Sequence, residues 1–311
     1  MVGRPSVHLF VLGNDYHLGD LLWFTAVIAE YRRQLEPERL LVACPDRAIS
    51  RILEHNPAID ELIYYGRDGH VVAGARARYG GALVLHDLRP VPIAWSMVRS
   101  WRHRWPWLYY RDLWLEPRGQ WLATFLRLGR LHEVRPVLHL TDEDLSVART
   151  LDAPYIVLAP HTGRYTLPIL GTIWARVKGW GEARWARLAE ALRKEGYTVI
   201  TLGAAGEEPV RGTTGLSGLP IRQAAGVIAG AAALVTVESG LWFVAAAVRT
   251  PLLIVPWWLP RSLDWVAPMH TPYRLVYRDQ ATVRHVLAEL RFLISQNGAR
   301  QNPASESGAE G

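Results

Sequence analysis

The sequence predicts an α/β protein made of two successive parallel-sheet domains. Three observations predict it. From Val7 to His86, short apolar runs alternate with a helix-forming stretch, the order that builds a parallel sheet with helices on its faces. The same rhythm restarts at Tyr155, just after Asp152–Pro154. The chain has 311 residues, 50% of them hydrophobic, which suits two domains of roughly 150 residues. The expected division is 1–152, 153–296 and a disordered polar tail at 297–311.

Taken in order, Val7 to Leu12 reads as a buried first strand. Gly13 and Asn14 break the pattern as a turn does. Gly19 and Asp20 stand where a helix starts, and Leu21 to Ala29 is apolar on nearly every face, so that helix is buried. Arg39 to Ala43 is a second strand, closed by Pro45. Asp46 to His55 has helical spacing, with Asp46 as N-cap, and Asn56-Pro57 ends it. Glu61 to Tyr65 and Ala82 to His86 are further strands. Leu88 to Arg111 departs from the rhythm. It carries five Arg (Arg89, Arg99, Arg102, Arg104, Arg111), no acidic residue, and Trp95, Trp101, Trp105 and Trp107. Helices are expected at Gln120 to Leu131 and from Thr141 to Leu151, the latter opened by a capping-box pair, Thr141 and Asp144.

In the second half, Tyr155 to Ala159 is a strand and Pro160 to Gly163 a loop. Glu182 to Glu195 is a periodic helix with Trp185, Leu188, Ala189 and Leu192 on one face and Gly196 as its stop. Thr198 to Leu202 is a strand and Gly203 to Glu208 a loop. Ile221 to Ala229, Ala233 to Val237 and Leu241 to Val248 read as helix, strand, helix. Pro251 to Val255 and Arg274 to Tyr277 are later strands. Thr282 to Gln296 is an amphipathic helix. Two such domains facing each other would leave a central cleft at the carboxyl ends of both sheets, where ligands bind in this class.

Composition narrows the partners. Net charge is +6, largely from Arg, which favours anionic ligands. The single cysteine, Cys44, excludes an intramolecular disulfide and fits a reducing, cytoplasmic compartment. Neither a signal peptide nor a transmembrane helix is expected. The run at Val7 is short and lacks a basic flank, and Gly226 to Val248 is interrupted by Glu238-Ser239-Gly240. Histidines do not gather at metal-ligand spacing, so no metal is expected. Neither GxGxxG, a P-loop nor GxSxG is present, which disfavours redox Rossmann enzymes, P-loop NTPases and α/β-hydrolases.

Several residues could carry chemistry. Asp20 reads either as a general base or as a helix-starting carboxylate with a structural role. Gly13, Asn14 and Gly19 allow close backbone approach to a ligand. Thr162, Gly163 and Arg164 follow a strand and offer hydroxyl, amide and guanidinium donors to a phosphate; an ordinary turn fits them equally. Lys178 is a candidate second cation for a diphosphate. Glu238, Ser239 and Gly240 lie between strand and helix, where amides favour an anion and Glu238 can accept from sugar or ribose hydroxyls. The plainer reading is a turn with Ser239 as N-cap. The Arg/Trp stretch from Trp95 to Trp121 suits an anionic membrane surface better than nucleic acid, since no RNA-binding signature accompanies it. Packed helices with an Arg-rich outer face remain its bland alternative.

Four segments together resemble glycosyltransferase family nine, the ADP-heptose:lipopolysaccharide heptosyltransferases. They are GDLLWFTAVIAEYRR at Gly19 to Arg33, NPAIDELIYY at Asn56 to Tyr65, KGWGEARWARLAEALRKEGYTVITLGAAGEE from Lys178, and IRQAAGVIAGAAALVTVESGLWFVAAAVRTPLLIV from Ile221. The resemblance implies a GT-B fold of two Rossmann-like domains. It implies inverting, metal-independent and cofactor-free transfer from a nucleotide-diphosphate sugar, ADP-linked in the family, to a glycan or glycolipid at the cytoplasmic face of the membrane. Asp20 falls on the family's base. Lys178 and Thr162 fall on its diphosphate-binding positions, with Gly163, Arg164, Glu238, Ser239 and Gly240 on the donor side. Gly13, Asn14, Gly19, Asp87 and Arg89 fall on the acceptor side. The chain departs from the family pattern at Glu238 (Asp in the pattern), Phe243 (His) and Pro256-Trp257-Trp258 (Gly-Pro-Thr). These departures motivate the alternative of a catalytically degenerate relative that binds carbohydrate or membrane.

Overall fold

The computed structural model describes residues 6–14, 16–66, 70–89, 126, 128, 135–161, 179–257 and 271–301. The Arg/Trp stretch, the expected helix from Gln120 to Leu131, Trp258 and residues 302–311 lie outside them, apart from the isolated residues 126 and 128. The chain divides into two compact units, Met1–His139 and Leu140–Gly311.

In the first unit, β1 (Val7–Val11), α1 (Leu18–Leu35), β2 (Arg39–Pro45), β3 (Glu61–Tyr65), α2 (Val71–Tyr79) and β4 (Leu83–Asp87) follow in order. All described strands pair in parallel, in the order β3-β2-β1-β4. β1 is buried throughout, and its residues alternate between two helical layers. Val7, Leu9 and Val11 join Leu41, Ala43 and Ala75 in a cluster on the α2 side. His8 and Phe10 face the α1 side, where Phe10 meets Phe24 and Tyr31 edge-on. The helix α2 has no counterpart in the sequence reading. Its segment, VVAGARARY, buries only Ala75, so little apolar periodicity marks it. The expected helix at Asp46 to His55 is instead a 3₁₀ segment, Ala48–Leu53. Asp46 does not cap it: its carboxylate accepts from Arg51 Nη2 at 2.7 Å, and Arg47 takes the N-cap position.

In the second unit, β5 (Tyr155–Ala159), α3 (Glu182–Lys194), β6 (Thr198–Gly203), β7 (Thr214–Ser217), α4 (Ile221–Ala229), β8 (Ala233–Thr236), α5 (Leu241–Val248), β9 (Leu252–Trp257), β10 (Tyr273–Tyr277) and α6 (Val283–Gln301) follow. The order β10-β9-β8-β5-β6-β7, all parallel, is that of a dinucleotide-fold sheet, as is the shorter order of the first unit. One face carries α3 and α6 over a cluster that includes Ile156, Leu158, Trp180, Trp185, Leu188, Leu192, Val286 and Leu290. On the other face, the Tyr155 hydroxyl donates to the Val227 carbonyl of α4 at 2.8 Å. Helix α3 stops as its sequence dictates. Gly196 at φ 89 lets Tyr197 N–H reach the Leu192 carbonyl (3.2 Å) and Gly196 N–H reach that of Arg193 (3.0 Å). The edge strand β7, an exposed TGLS, was not expected because it lacks an apolar run.

Two further differences have physical causes. Thr141 to Leu151 forms turns and a short 3₁₀ segment, Ala148–Thr150, rather than a helix. The Thr141–Asp144 box does form, with Thr141 N–H donating to Asp144 Oδ2 at 2.8 Å. But the Asp144 carboxylate also takes two bonds from Arg222 of α4, Nε at 3.1 Å and Nη2 at 2.6 Å. Burial opposes the charge on Asp144, yet these bonds and the Thr141 donors hold its pKa below the usual carboxylate value. The same contacts tie residues 140–151 to the second unit, so the division falls before Asp152–Pro154. Finally, α6 runs on to Gln301, into the stretch expected to be disordered. Gly298 alone costs a helix only about 1 kcal/mol, and the first residue that cannot continue it is Pro303.

Candidate functional site

In each unit, the candidate residues among those described lie near the point where the sheet order reverses. For the first unit that point lies between β1 and β4, at their carboxyl ends. Gly13 follows β1 there, and a Cβ at Gly13 would stand 2.8 Å from the Arg89 carbonyl oxygen. The glycine is therefore required by the approach of its own chain. Beyond β4, Arg89 turns back on Asp87, donating from Nε to Oδ1 (2.9 Å) and from Nη2 to Oδ2 (2.6 Å). This pairing holds the Asp87 carboxyl below, and the Arg89 guanidinium above, their ordinary pKa values. The two expected acceptor residues thus engage each other.

Asp20 is half-buried in the first turn of α1, and its Oδ2 accepts the His17 backbone N–H at 3.0 Å. It is thus a helix-starting acceptor. That does not remove it from chemistry, since a carboxylate offers about four lone-pair sites. Gly19 lies inside the same first turn, and Asn14 is exposed in the loop before it. The hydroxyl of Tyr16 is buried near Asp20. Burial, then the Asp20 charge, pushes its pKa well above the ordinary phenol value.

Two residues that sequence reasoning missed complete this edge. Arg47, just beyond β2, donates from Nη1 to the carbonyls of Asn14 (2.5 Å) and Tyr16 (3.2 Å). Tyr65 ends β3 and its hydroxyl donates to the Leu12 carbonyl. Each closes a strand at its carboxyl end, and that position was the signal available in the sequence.

For the second unit the reversal lies between β5 and β8. Thr162, Gly163, Arg164 and Lys178 lie outside the described residues. His161, just beyond β5, has its Nε2 at 3.1 Å from the Glu208 carbonyl. Thr236, fully buried at the end of β8, has its hydroxyl 3.0 Å from the Ala159 carbonyl and 3.2 Å from Ser239 Oγ. This hydroxyl braces the two strand ends, a role its sequence context did not reveal. The cap of α5 is Gly240, not Ser239, and no side chain caps it. Ser239 is drawn to Thr236 instead. The amides that open α5 therefore have no side-chain acceptor from the cap residue, and Glu238 stands half-buried before them. Phe243 is a core residue, 4% exposed, and meets Trp242 edge-on at 5.1 Å. Trp180, two residues after Lys178, is buried and donates from Nε1 to the Ala281 carbonyl at 2.7 Å.

Among the described residues, no three His, Cys, Asp or Glu side chains gather so as to hold a metal, and no helix is long and apolar enough to cross a membrane.

Residues 129–255 match the family model described as glycosyltransferase family 9 (heptosyltransferase). A lipooligosaccharide heptosyltransferase 2 from Haemophilus influenzae is 32% identical over 132 residues, 37% of this chain and 37% of that protein. The match thus spans little more than a third of the relative's length. Among solved structures, a family 9 glycosyl transferase from Veillonella parvula superposes with a TM-score of 0.69 at 14% identity, over 95% of this chain and 99% of the other. The ADP-heptose lipopolysaccharide heptosyltransferase II of E. coli gives 0.65 at 20% identity, over 94% and 100%. An E. coli heptosyltransferase solved with ADP gives 0.59 at 14%, over 93% and 100%. These likenesses establish the expected GT-B fold class of two Rossmann-like units. Residues 129–255 are thus similar in sequence to glycosyltransferase family 9, and the chain shares the fold of solved heptosyltransferases.

Proposed function

We propose that this protein transfers a sugar, heptose or a close relative, from a nucleotide-diphosphate donor to a hydroxyl of a glycan or glycolipid. One observation carries the reading. A half-buried carboxylate, Asp20, opens the first helix at the carboxyl edge of a parallel sheet, in a chain with a family 9 domain. The relatives' names, heptosyltransferases with ADP-linked donors, suggest an ADP-linked donor here.

The chemistry follows from the groups. The acceptor hydroxyl oxygen attacks the anomeric carbon from the face opposite the diphosphate, so the configuration inverts. Its proton passes to the Asp20 carboxylate. The bond from the anomeric carbon to the diphosphate oxygen breaks, and its electron pair leaves with the nucleoside diphosphate. No metal or cofactor takes part in this reading. The leaving charge is instead met by Lys178, Arg164, Thr162, the Gly163 amide and the amides that open α5. Glu238 and Ser239 contact the nucleotide, while Gly13, Asn14, Gly19, Asp87 and Arg89 shape the acceptor side. The Arg/Trp stretch rests on the anionic cytoplasmic face of the membrane, where a glycolipid acceptor is presented.

Calorimetry against a panel of nucleoside diphosphates, with mass spectrometry of any co-purified nucleotide sugar, tests this reading. Binding of one diphosphate, and transfer from its sugar, is expected. Failure to bind every member of the panel would overturn it in favour of a binding protein that has lost catalysis.

A further inference from the structure

We infer that Arg47 is a positioning residue for Asp20, acting through a single peptide group. The inference rests on the reading of Asp20 as the base. Arg47 Nη1 donates to the carbonyl of Tyr16 at 3.2 Å. That carbonyl and the N–H of His17 belong to the same peptide unit, and this N–H is the donor to Asp20 Oδ2 at 3.0 Å. A peptide unit is planar, so fixing the direction of its C=O fixes the direction of its N–H. The guanidinium also polarises the amide it binds and strengthens the donor at the other end. A second bond from the same Nη1, to the Asn14 carbonyl at 2.5 Å, holds the preceding turn of the loop. Arg47 thus sets the angle and the strength of the bond that orients the carboxylate.

The surroundings make this a built contact. The backbone of Arg47 is itself fixed, its N–H donating to the Pro45 carbonyl at 2.9 Å at the end of β2. β2 pairs with β1 residue for residue, Leu41 against Leu9 and Ala43 against Val11, so the register of the sheet determines where Arg47 stands relative to the loop after β1. Tyr16, whose carbonyl is gripped, is 1% exposed and cannot swing out. Without Arg47 the Tyr16–His17 peptide loses the bond to its carbonyl that sets the direction of its N–H.

The experiment compares Arg47→Ala and Arg47→Lys in the full chain. Displacing a reacting group by about 1 Å costs up to ~100-fold in rate, so Arg47→Ala should lower kcat by roughly 10- to 100-fold with the donor KM unchanged. Arg47→Lys keeps one charged donor and should recover most of the loss. Hydrogen exchange of the His17 amide, read by NMR without any substrate, should quicken in Arg47→Ala and return toward the native rate in Arg47→Lys. A donor KM that rises with kcat unaltered, or an unchanged His17 exchange rate, would overturn the inference. If the native protein transfers no sugar, the exchange measurement still tests the coupling, while the loss falls on the catalytic reading alone. Thermal melting of both variants separates a folding defect from a local one.

Discussion

The two units share a topology and differ in what they bury. The second unit covers its sheet with an unbroken apolar cluster, from Ile156 through Trp180 and Trp185 to Leu293. Its buried ion pair among the described residues joins Asp144 to Arg222 of α4 by two bonds. The first unit has a polar chain beneath α1. The Tyr31 hydroxyl lies 2.6 Å from His8 Nδ1 and 2.7 Å from His86 Nε2, and His86 stacks on Phe10 at 4.4 Å. Tyr31 can donate to one imidazole and accept from the other, so the chain is satisfied only while at least one of the two rings is neutral. Burial, then the charge of His8, pulls the His86 pKa down to about 4. The strand order of the first unit, repeated in the second with two strands added, thus stands on a core of different chemistry in each, and pH should tell them apart.

The largest effect expected lies at the edge of the first unit. Asp20→Asn should reduce sugar transfer by ~10²- to 10⁴-fold while leaving nucleotide binding near native, as measured by calorimetry. Retained activity would remove Asp20 from the mechanism and leave it a helix-starting residue. Next comes the pair in the second unit. Arg222→Ala leaves the buried Asp144 carboxylate without its cation and with only its Thr141 donors, and chemical denaturation should show a loss of about 3–5 kcal/mol confined to that unit. A loss under 1 kcal/mol would mean that solvent reaches the pair. Tyr31→Phe leaves both imidazoles without their common partner and should cost the first unit about 1–3 kcal/mol.

Acid gives the smallest effect and the sharpest test of the comparison. His86 is depressed from 6.5 to about 4, so the stability it confers is complete above pH 6.5 and is lost as pH falls from 6.5 toward 4. Solvent reaches part of the ring, which limits the loss to roughly 1–2 kcal/mol. Asp144 also has a lowered pKa, but from 3.8, so its contribution persists until pH drops below 3.8 and then fades. Near pH 5, hydrogen exchange should therefore find the first unit loosened and the second intact. Equal loosening of both would break the contrast.

Much of the fold was legible because strong patterns have local causes. Val7 to Leu12, Tyr155 to Ala159 and Ala233 to Val237 are apolar runs that can only be buried strands in this rhythm, and Gly196 ends α3 by its own φ. What escaped was weakly patterned. Helix α2 buries one side chain, and β7 exposes most of its residues while extending a sheet already formed. The residues 141–151 have a helical signature that a tertiary ion pair overrides. At the candidate site, Asp20 and Glu238 stood out in the sequence as carboxylates where a helix begins. Arg47 and Thr236 were not, because their partners are backbone carbonyls distant in sequence.

The sequence by itself determined the alternation of elements, the parallel sheets, the restart in the second half and the carboxylate at the head of α1. Those follow from periodicity and turn chemistry, which act over a few residues. Only the tertiary structure decided that Asp87 and Arg89 hold each other, that Gly13 makes room for Arg89, and that Arg47 grips the loop leading to Asp20. The reason is physical. A hydrogen bond to a backbone carbonyl can be made with any residue type, so its donor carries no mark in the sequence until the sheet register brings the two together.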